Sequence, residues 1–303
     1  MAIEKEIWQA VSKEQFSKDN VFLTTATNAD EYVLGGKIVH IPNAGARPSV
    51  VKNRTIFPAA AVQRTDNDVS YPLDEFSSDP THIRDAEKVE LSYDKIASVL
   101  REHIATIREK SADQMAYNWA ATSALNILRT TGAAIPAYLP NGTGNRKKFT
   151  KEDLKRAFTL MNTSNVPKAE RYALLSSYML DQLMDDPTLQ SRDSSMELDM
   201  KNGVIMRLYG FNILERSTVL AYTQAVLPVP IDPFAALTAT SNDAILCYER
   251  SSVESAIGDV SMFENLNDPQ YYGDIYSIAI RVGGRKRAFD GTGVVAIVQD
   301  VAP

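Results

Sequence analysis

Across 303 residues the chain is 44% hydrophobic and 23% charged, with 14 Gly and 14 Pro, an ordinary globular composition that excludes collagenous, low-complexity and wholly disordered classes. That length holds one large or two ordinary domains. Lys plus Arg number 32 against 38 Asp plus Glu, a formal charge of −6, which argues against a protein whose main contact is a broad phosphate surface, because such contacts are made by Lys and Arg. The single cysteine, Cys247, cannot form an intrachain disulfide, the first twenty residues lack the apolar run of a signal peptide, and no stretch approaches the roughly 18 apolar residues needed to span a bilayer. The expectation is a soluble, acidic protein made inside a cell.

Residues 3 to 17 place Ile3, Ile7, Trp8 and Val11 at helical spacing, so a short amphipathic segment opens an arm that runs to about residue 34. From Gly35 to Ser92 the chain reads as an extended excursion. Gly35-Gly36 opens a strand, Lys37 to Ile41, interrupted by Pro42. A returning strand is signalled by Val69, Tyr71 and Leu73 alternating with polar residues, and Pro72 within it argues for a sheet edge. A two-stranded arm with few large apolar residues is marginal alone, so it should lie on something else.

The longest helix follows, from about Ser92 to Ala121. Ile96, Val99, Leu100, His103, Ile104, Ile107, Met115 and Trp119 form its stripe, and Arg101, Glu102, Arg108, Glu109 and Lys110 its other face. At 1.5 Å per residue this is a rod of about 40 Å. A second helix starts at Thr150, a cap with Glu152 and Asp153 behind it, and carries Leu154, Ala157, Phe158 and Met161 on its apolar face. Arg171 to Ser176 reads as a strand leading into a helix, Tyr178 to Met184, stopped by Asp186-Pro187. Lys201-Asn-Gly203 signals a turn, followed by strands Val204 to Leu208 and Phe211 to Glu215. Pro228, Pro230 and Pro233 mark a loop and Ala244 to Tyr248 another strand. The C-terminus reads as a hairpin: Ile275 to Val282, a turn region Gly283-Gly284-Arg-Lys-Arg287, then Val294 to Val298.

Sites of chemistry are sparse. His40, His82 and His103 are too far apart in sequence to form a local metal motif. Neither GxSxG, GxGxxG nor a complete P-loop occurs. Ser92 to Lys95 matches Ser-x-x-Lys without the accompanying motifs of a serine hydrolase of that type, and Ser92 is better read as a helix cap. Pro140 to Thr150 holds two glycines and three cations before a helix but lacks the Gly-Lys-Ser/Thr ending of a phosphate cradle, so a solvated loop is the simpler reading. No catalytic residue, cofactor or metal ligand is assigned.

Charge is instead segregated along the excursion. Residues 35 to 63 hold Lys37, Arg47, Lys52 and Arg54 and no acid, whereas residues 64 to 94 hold nine acids, among them Asp66, Asp68, Asp74, Glu75 and Asp79, against three cations. One reading is a solvated ribbon. The other is that identical copies meet basic flank to acidic flank, opposite charges fixing register and orientation. A further basic cluster comprises Arg146, Lys147, Lys148, Lys151, Lys155 and Arg156.

The element order, with the lead-in Asp85-Ala-Glu-Lys-Val-Glu-Leu-Ser-Tyr-Asp-Lys95 and the phrases Gly203-Val-Ile-Met-Arg-Leu-Tyr-Gly-Phe211 and Asn267-Asp-Pro-Gln-Tyr-Tyr-Gly-Asp274, resembles the major capsid proteins of tailed bacteriophages, the Hong Kong 97 type of fold. The resemblance covers nearly the whole chain. It implies an α+β fold with an N-terminal arm (1–34), an extended β-loop (35–85) overlying a neighbouring subunit, and a peripheral domain (86–164) with the spine helix at 92–121. An axial domain (165–245) and a return to the peripheral domain ending in the hairpin (246–303) complete it. It further implies a protein that is not an enzyme. Its partners would be its own copies in hexamers and pentamers, a portal, a separate scaffolding protein if any, and packaged double-stranded DNA bound without sequence specificity. The location implied is the virion capsid, after synthesis in the host cytoplasm. An acidic balance suits a shell that must release its genome, since a strongly basic lining would hold it; the basic cluster from Arg146 to Arg156 is the exception, read as a lumen-facing surface, a solvated helix face or a set of intersubunit salt-bridge partners. An encapsulin-like nanocompartment shell and an α+β enzyme are the alternatives.

Overall fold

The computed structural model describes residues 21–43, 50–55, 57–58, 61, 63, 67–84, 95–186, 198–199, 204–205, 207–288 and 290–302. The amphipathic stretch Ile3 to Val11, the lead-in 85–94 with Ser92, Arg47, Asp66 and the turn at 201–203 lie outside these residues. In chain order the principal elements are β1 (Ile38–Asn43), β2 (Asn67–Pro72), β3 (Asp74–Ser77), β4 (Thr81–Arg84), α1 (Lys95–Trp119), β5 (Ile127–Arg129) and α2 (Lys151–Thr163). They continue with β6 (Arg171–Ser176), α3 (Ser177–Met184), β7 (Phe211–Arg216), β8 (Asn242–Glu249), β9 (Val253–Asp268), β10 (Gly273–Lys286) and β11 (Val294–Val298).

Two sheets carry the molecule. The first runs Thr27–Asn28, β9, β10, β3, with β4 also on β10. The second runs Arg207–Leu208, β7, β6, β8, β11, β5, with Leu220–Tyr222 also on β8. Strand side chains alternate between faces, and the second sheet uses both. Leu174, Leu246, Tyr248 and Ala296 join one core with α1 and the first sheet. Ala173, Leu175, Ile245, Cys247, Val295 and Ile297 join another with Leu154, Ala157 and Met161 of α2 and Met179 and Leu183 of α3. Covered on both faces, β8 is buried along its whole length, which is why it reads as a continuous apolar run rather than an alternating one.

The helix α1 buries the stripe its spacing predicts: Leu100, His103, Ile104, Ile107, Met115 and Trp119 are all buried, and Arg101, Glu102, Glu109 and Lys110 are exposed. It ends at Trp119, two residues before the expected end, where Lys286 Nζ donates to the Ala120 carbonyl (2.6 Å) and Tyr222 Oη to the Ala121 carbonyl (2.9 Å). These donors satisfy carbonyls that a helix terminus leaves orphaned. The helix α2 starts at a capping box, Thr150 with Asp153, and β6 spans the residues its pattern predicts.

The excursion is longer in its strands than expected. Strand β1 runs through Pro42 to Asn43, and it is the centre of a three-stranded sheet, Val33–Leu34, β1, β2. Strand β2, which holds Pro72, is an edge, where a missing N–H costs no ladder bond. Its base rests on the same chain: Val39 and Leu73 are buried with Ala29 and with Ala256 of β9, and Tyr71 lies under the Arg285 guanidinium, 5.3 Å from the ring centroid.

One expectation about the fold is corrected. The C-terminal hairpin does not exist as drawn. Gly283 and Gly284 are not a turn but lie inside β10, which pairs antiparallel with β9 over most of its length. Strand β11 belongs to the other sheet, between β8 and β5. The glycines are there for clearance. A Cβ on Gly283 would meet Leu73 at 2.6 Å, and one on Gly284 would meet the Met115 thioether, the Glu254 carbonyl and, at 3.2 Å, the Trp119 indole nitrogen. The real turn of this hairpin is at 269–272, within the Asn267 to Asp274 phrase. The expected border at 245/246 falls inside β8, and α2, expected with the spine helix, packs in the second core with α3.

Gly284→Ala therefore overpacks the contact between α1 and β10 and should lower the stability of the unassembled subunit by about 1–3 kcal/mol, read from denaturant unfolding at constant m-value.

Candidate assembly surface

The flanks of the excursion pair from Ile38 opposite Pro72 to Asn43 opposite Asn67, but their charges do not meet in this ladder: Asp68, opposite Pro42, is the one charged residue in it, and Lys37, Arg47, Lys52 and Arg54 lie outside it. Lys37, Lys52, Arg54, Asp74, Glu75 and Asp79 are exposed; Arg47, Asp66 and the side chain of Asp68 lie outside the described residues. The acidic flank is not uniformly available. Glu75 Oε2 accepts from Arg281 Nη2 (2.7 Å) and Nε (3.0 Å), across the β3–β10 pairing. Partial burial raises the Asp74 carboxyl above its ordinary range, opposed by a hydrogen bond from Asn118.

The basic cluster near residue 150 is largely spent inside the chain. Arg146 is 2% exposed, and its guanidinium donates to the carbonyls of Thr143, Asn145, Ala239 and Ser241, tying the 145–147 strand to the loop before β8. It is no part of a lumen-facing surface. Lys147 pairs with Asp300 (2.6 Å), Lys148 with Asp185 (2.8 Å), Lys151 with Asp186 (3.2 Å) and Arg156 with Asp153 (3.4 Å). Lys155 is exposed with no ion pair among the described residues. A patch of six cations in sequence is, in space, one buried structural arginine, four paired cations and one exposed lysine without an ion pair among the described residues.

What the surface offers instead is apolar. Val50 is 94% exposed and Phe57 75% in the excursion; Val226 is fully exposed, with Val229 and Phe234, in the proline-marked loop; Phe263, Tyr271 and Tyr272 stand out at the tip of the β9–β10 hairpin. Scattered apolar residues on a surface are ordinary, whereas clusters mark contact sites. These three clusters lie on three separate elements, and the prolines and the excursion were their only signals in the sequence.

Beneath the surface two buried acids hold the frame. Glu254 of β9 is 1% exposed. It accepts from Arg285 Nε (2.6 Å) and approaches Arg287 Nε (3.5 Å), while its backbone carbonyl accepts the Trp119 indole N–H (3.0 Å). Asp243 at the start of β8 is fully buried. Its carboxylate accepts from Ser176 Oγ (2.6 Å) and from the Ala244 amide (2.9 Å), and Ser176 in turn caps α3 by accepting from the Met179 amide. Burial nevertheless dominates these hydrogen bonds and pushes Asp243 up to about 6. Among the described residues no group of three or more His, Cys, Asp or Glu side chains converges as a metal site would require.

A long helix laid across an antiparallel hairpin sheet, a second sheet clad by two shorter helices, and an extended excursion based beside the helix together define the Hong Kong 97 type of capsid subunit. The profile of the family described as phage capsid protein matches residues 79–300, and the chain belongs to that family. Solved structures agree in fold. A chain of Mycobacterium phage Che8 is 17% identical with a TM-score of 0.58, over 91% of this chain and 90% of that one. The capsid of cyanophage P-SCSP1u is 16% identical with a TM-score of 0.61, over 92% and 86%. The virus-like particle from Pyrococcus furiosus is 9% identical with a TM-score of 0.54, over 97% and 99%. No curated protein sequence matches.

Glu254→Gln should destabilise the subunit by about 2–3 kcal/mol in chemical unfolding, less than for a fully buried pair because Arg285 and Arg287 keep contact with water. For Asp243 the folded chain holds a proton that the unfolded chain releases near 3.8, so this group subtracts stability progressively as pH rises from there to about 6, and no further above it. The stability of Asp243→Asn relative to wild type should accordingly increase between pH 4 and 6, by on the order of 2–3 kcal/mol, and stay level to pH 8.

Proposed function

We propose that the chain is the major capsid protein of a tailed phage or prophage, assembling through many copies, as hexamers and pentamers, into the icosahedral shell around double-stranded DNA. The observation that carries this reading is the match to the phage capsid family over most of the chain; the apolar clusters on three separate elements are what such a subunit needs to meet several neighbours at once. In this reading the spine helix α1 and the first sheet form the peripheral part, and the second sheet with α2, α3 and the proline-marked loop forms the axial part. The extended loop, carrying Lys37, Arg47, Lys52, Arg54, Asp66, Asp68, Asp74 and Asp79, reaches a neighbouring copy.

Portal, scaffold and genome are the further partners of this reading, and the host cytoplasm the place of synthesis. The pairing of Lys147, Lys148, Lys151 and Arg156 with acids of the same chain supports a genome contact that is weak and without sequence readout. The nanocompartment alternative is not favoured, because the family match is to phage capsid proteins although the fold is shared.

Expression of the chain, with any scaffold encoded beside its gene, should give closed particles in negative stain; only small, non-assembling species under all conditions would overturn the proposal. Lys52→Glu with Arg54→Glu should cut particle yield severalfold while leaving the thermal midpoint of the unassembled subunit unchanged, because both side chains are exposed and add little to the fold.

A further inference from the structure

Residues 231–241 cross from the second sheet to the side of α1 and return to the start of β8. At one end the Ile231 amide donates to the Ala221 carbonyl (2.8 Å). At the other the Thr143 amide donates to the Ala239 carbonyl (3.1 Å), and the Arg146 guanidinium to the Ala239 and Ser241 carbonyls. The middle of this strap rests on α1 and β3 through Phe234, whose ring lies 6.3 Å from that of Phe76 and 6.0 Å from the Lys110 ammonium. Under the strap is a cavity of about 160 Å³, lined by Leu139, Val219, Ile231 and Leu237 and by Asp113 of α1, with Asp243 in its wall.

The elements packed around Asp243 bring it hydrogen bonds but no counterion. The second sheet offers Ser176 Oγ and the Ala244 amide. The 134–147 segment offers the Tyr138 hydroxyl, which favours the charged carboxyl and whose ring stacks on Tyr178 of α3 (3.9 Å); the Arg146 guanidinium on this segment is spent on backbone carbonyls. Across the cavity α1 brings Asp113, already paired with Arg216 (2.7 Å), and the strap brings Asp232, another acid. Among the described residues no ion pair reaches Asp243. A neutral carboxyl tolerates this place, whereas a carboxylate there is a buried charge that gains most by reaching water. The cavity has room for a few water molecules at about 30 Å³ each, but most of its walls are apolar. Hydrating the carboxylate therefore means parting the strap from α1 and from the 134–147 segment.

We infer that the 231–237 strap is a proton-gated latch: with Asp243 protonated it closes on α1, and ionisation of Asp243 releases it. The latch is a property of the single subunit and stands apart from the shell reading. The contact it controls joins the proline-marked loop to the spine helix and to β3 through Phe234, so the proton decides whether that loop moves with them or independently.

The test is amide hydrogen exchange on the full-length, unassembled subunit from pH 5 to pH 8, expressed as protection factors so that the intrinsic pH dependence of exchange cancels. With the carboxyl near 3.8 when hydrated and near 6 when latched, opening becomes more favourable as pH rises between those values and changes no further above them. Protection across residues 234–237 should accordingly fall about tenfold from pH 5 to pH 8, levelling off above about pH 7, while the amides of β8 and β11 keep theirs. In Asp243→Asn the strap should hold the same protection throughout. Tyr138→Phe keeps the ring stack and removes a hydroxyl that favours the charged carboxyl, so it should move the midpoint of the fall to higher pH. No fall in wild type, an equal fall in Asp243→Asn, or a fall shared equally by β8 and β11 overturns the latch. An unmoved midpoint in Tyr138→Phe overturns the assignment of the proton to Asp243. None of these outcomes bears on whether the chain forms a shell.

Discussion

The structure hangs on the contact between the end of α1 and the β9–β10 hairpin. Trp119 is completely buried there, its indole N–H on the Glu254 carbonyl, its ring edge-on to Phe22 at 5.7 Å and tilted against Tyr248 of the second sheet at 5.4 Å. The helix can come this close because Gly284 has no side chain. It is held because the Glu254 carboxylate, which burial alone would make costly, gathers Arg285 and Arg287 around it. Arg285 then covers Tyr71, so the base of the excursion, the spine helix and both sheets meet within one set of side chains. An aromatic ring supplies the apolar burial, and its one polar atom supplies the orientation.

Much of this was legible in the sequence where local periodicity and burial agree. Strand β6 is a short apolar run before a capped helix, and its ends were readable to the residue. The stripe of α1 was readable because no Gly or Pro interrupts it. Strand β9 was not, for physical reasons. Its register shifts at 257–260 and 265–268 break the two-residue period, and in its second half the side chains of residues 263–267 are exposed, so apolar Phe263 and Leu266 stand among Glu264, Asn265 and Asn267 without marking a core face. This explains the misread hairpin: with β9 invisible, β10 had no partner but β11, and Gly283-Gly284 looked like the turn between them. Glycine permits both sharp turns and close packing, and only the position of Trp119 decides between them.

The surface was the least legible part. Runs of like charge in sequence suggested patches, yet Lys147, Lys148 and Lys151 find Asp300, Asp185 and Asp186 from distant parts of the chain, and Arg146 turns inward to backbone carbonyls. The segregated charge of the excursion keeps more of its meaning, since Lys52 and Arg54 remain exposed while Glu75 is held by Arg281. Net charge told of the whole molecule; the pairing of individual charges tells which of them is left to meet another molecule.

Strand β8 has a mechanical consequence. Both of its faces are inside hydrophobic cores, one shared with α1 and the hairpin sheet, the other with α2 and α3, so neither half of the subunit can slide past the other without opening both. A shell wall built from such pieces has its compliance at the joints between plates rather than within them. Load applied from inside passes through the covalent backbone and ladder of one buried strand before it reaches any interface.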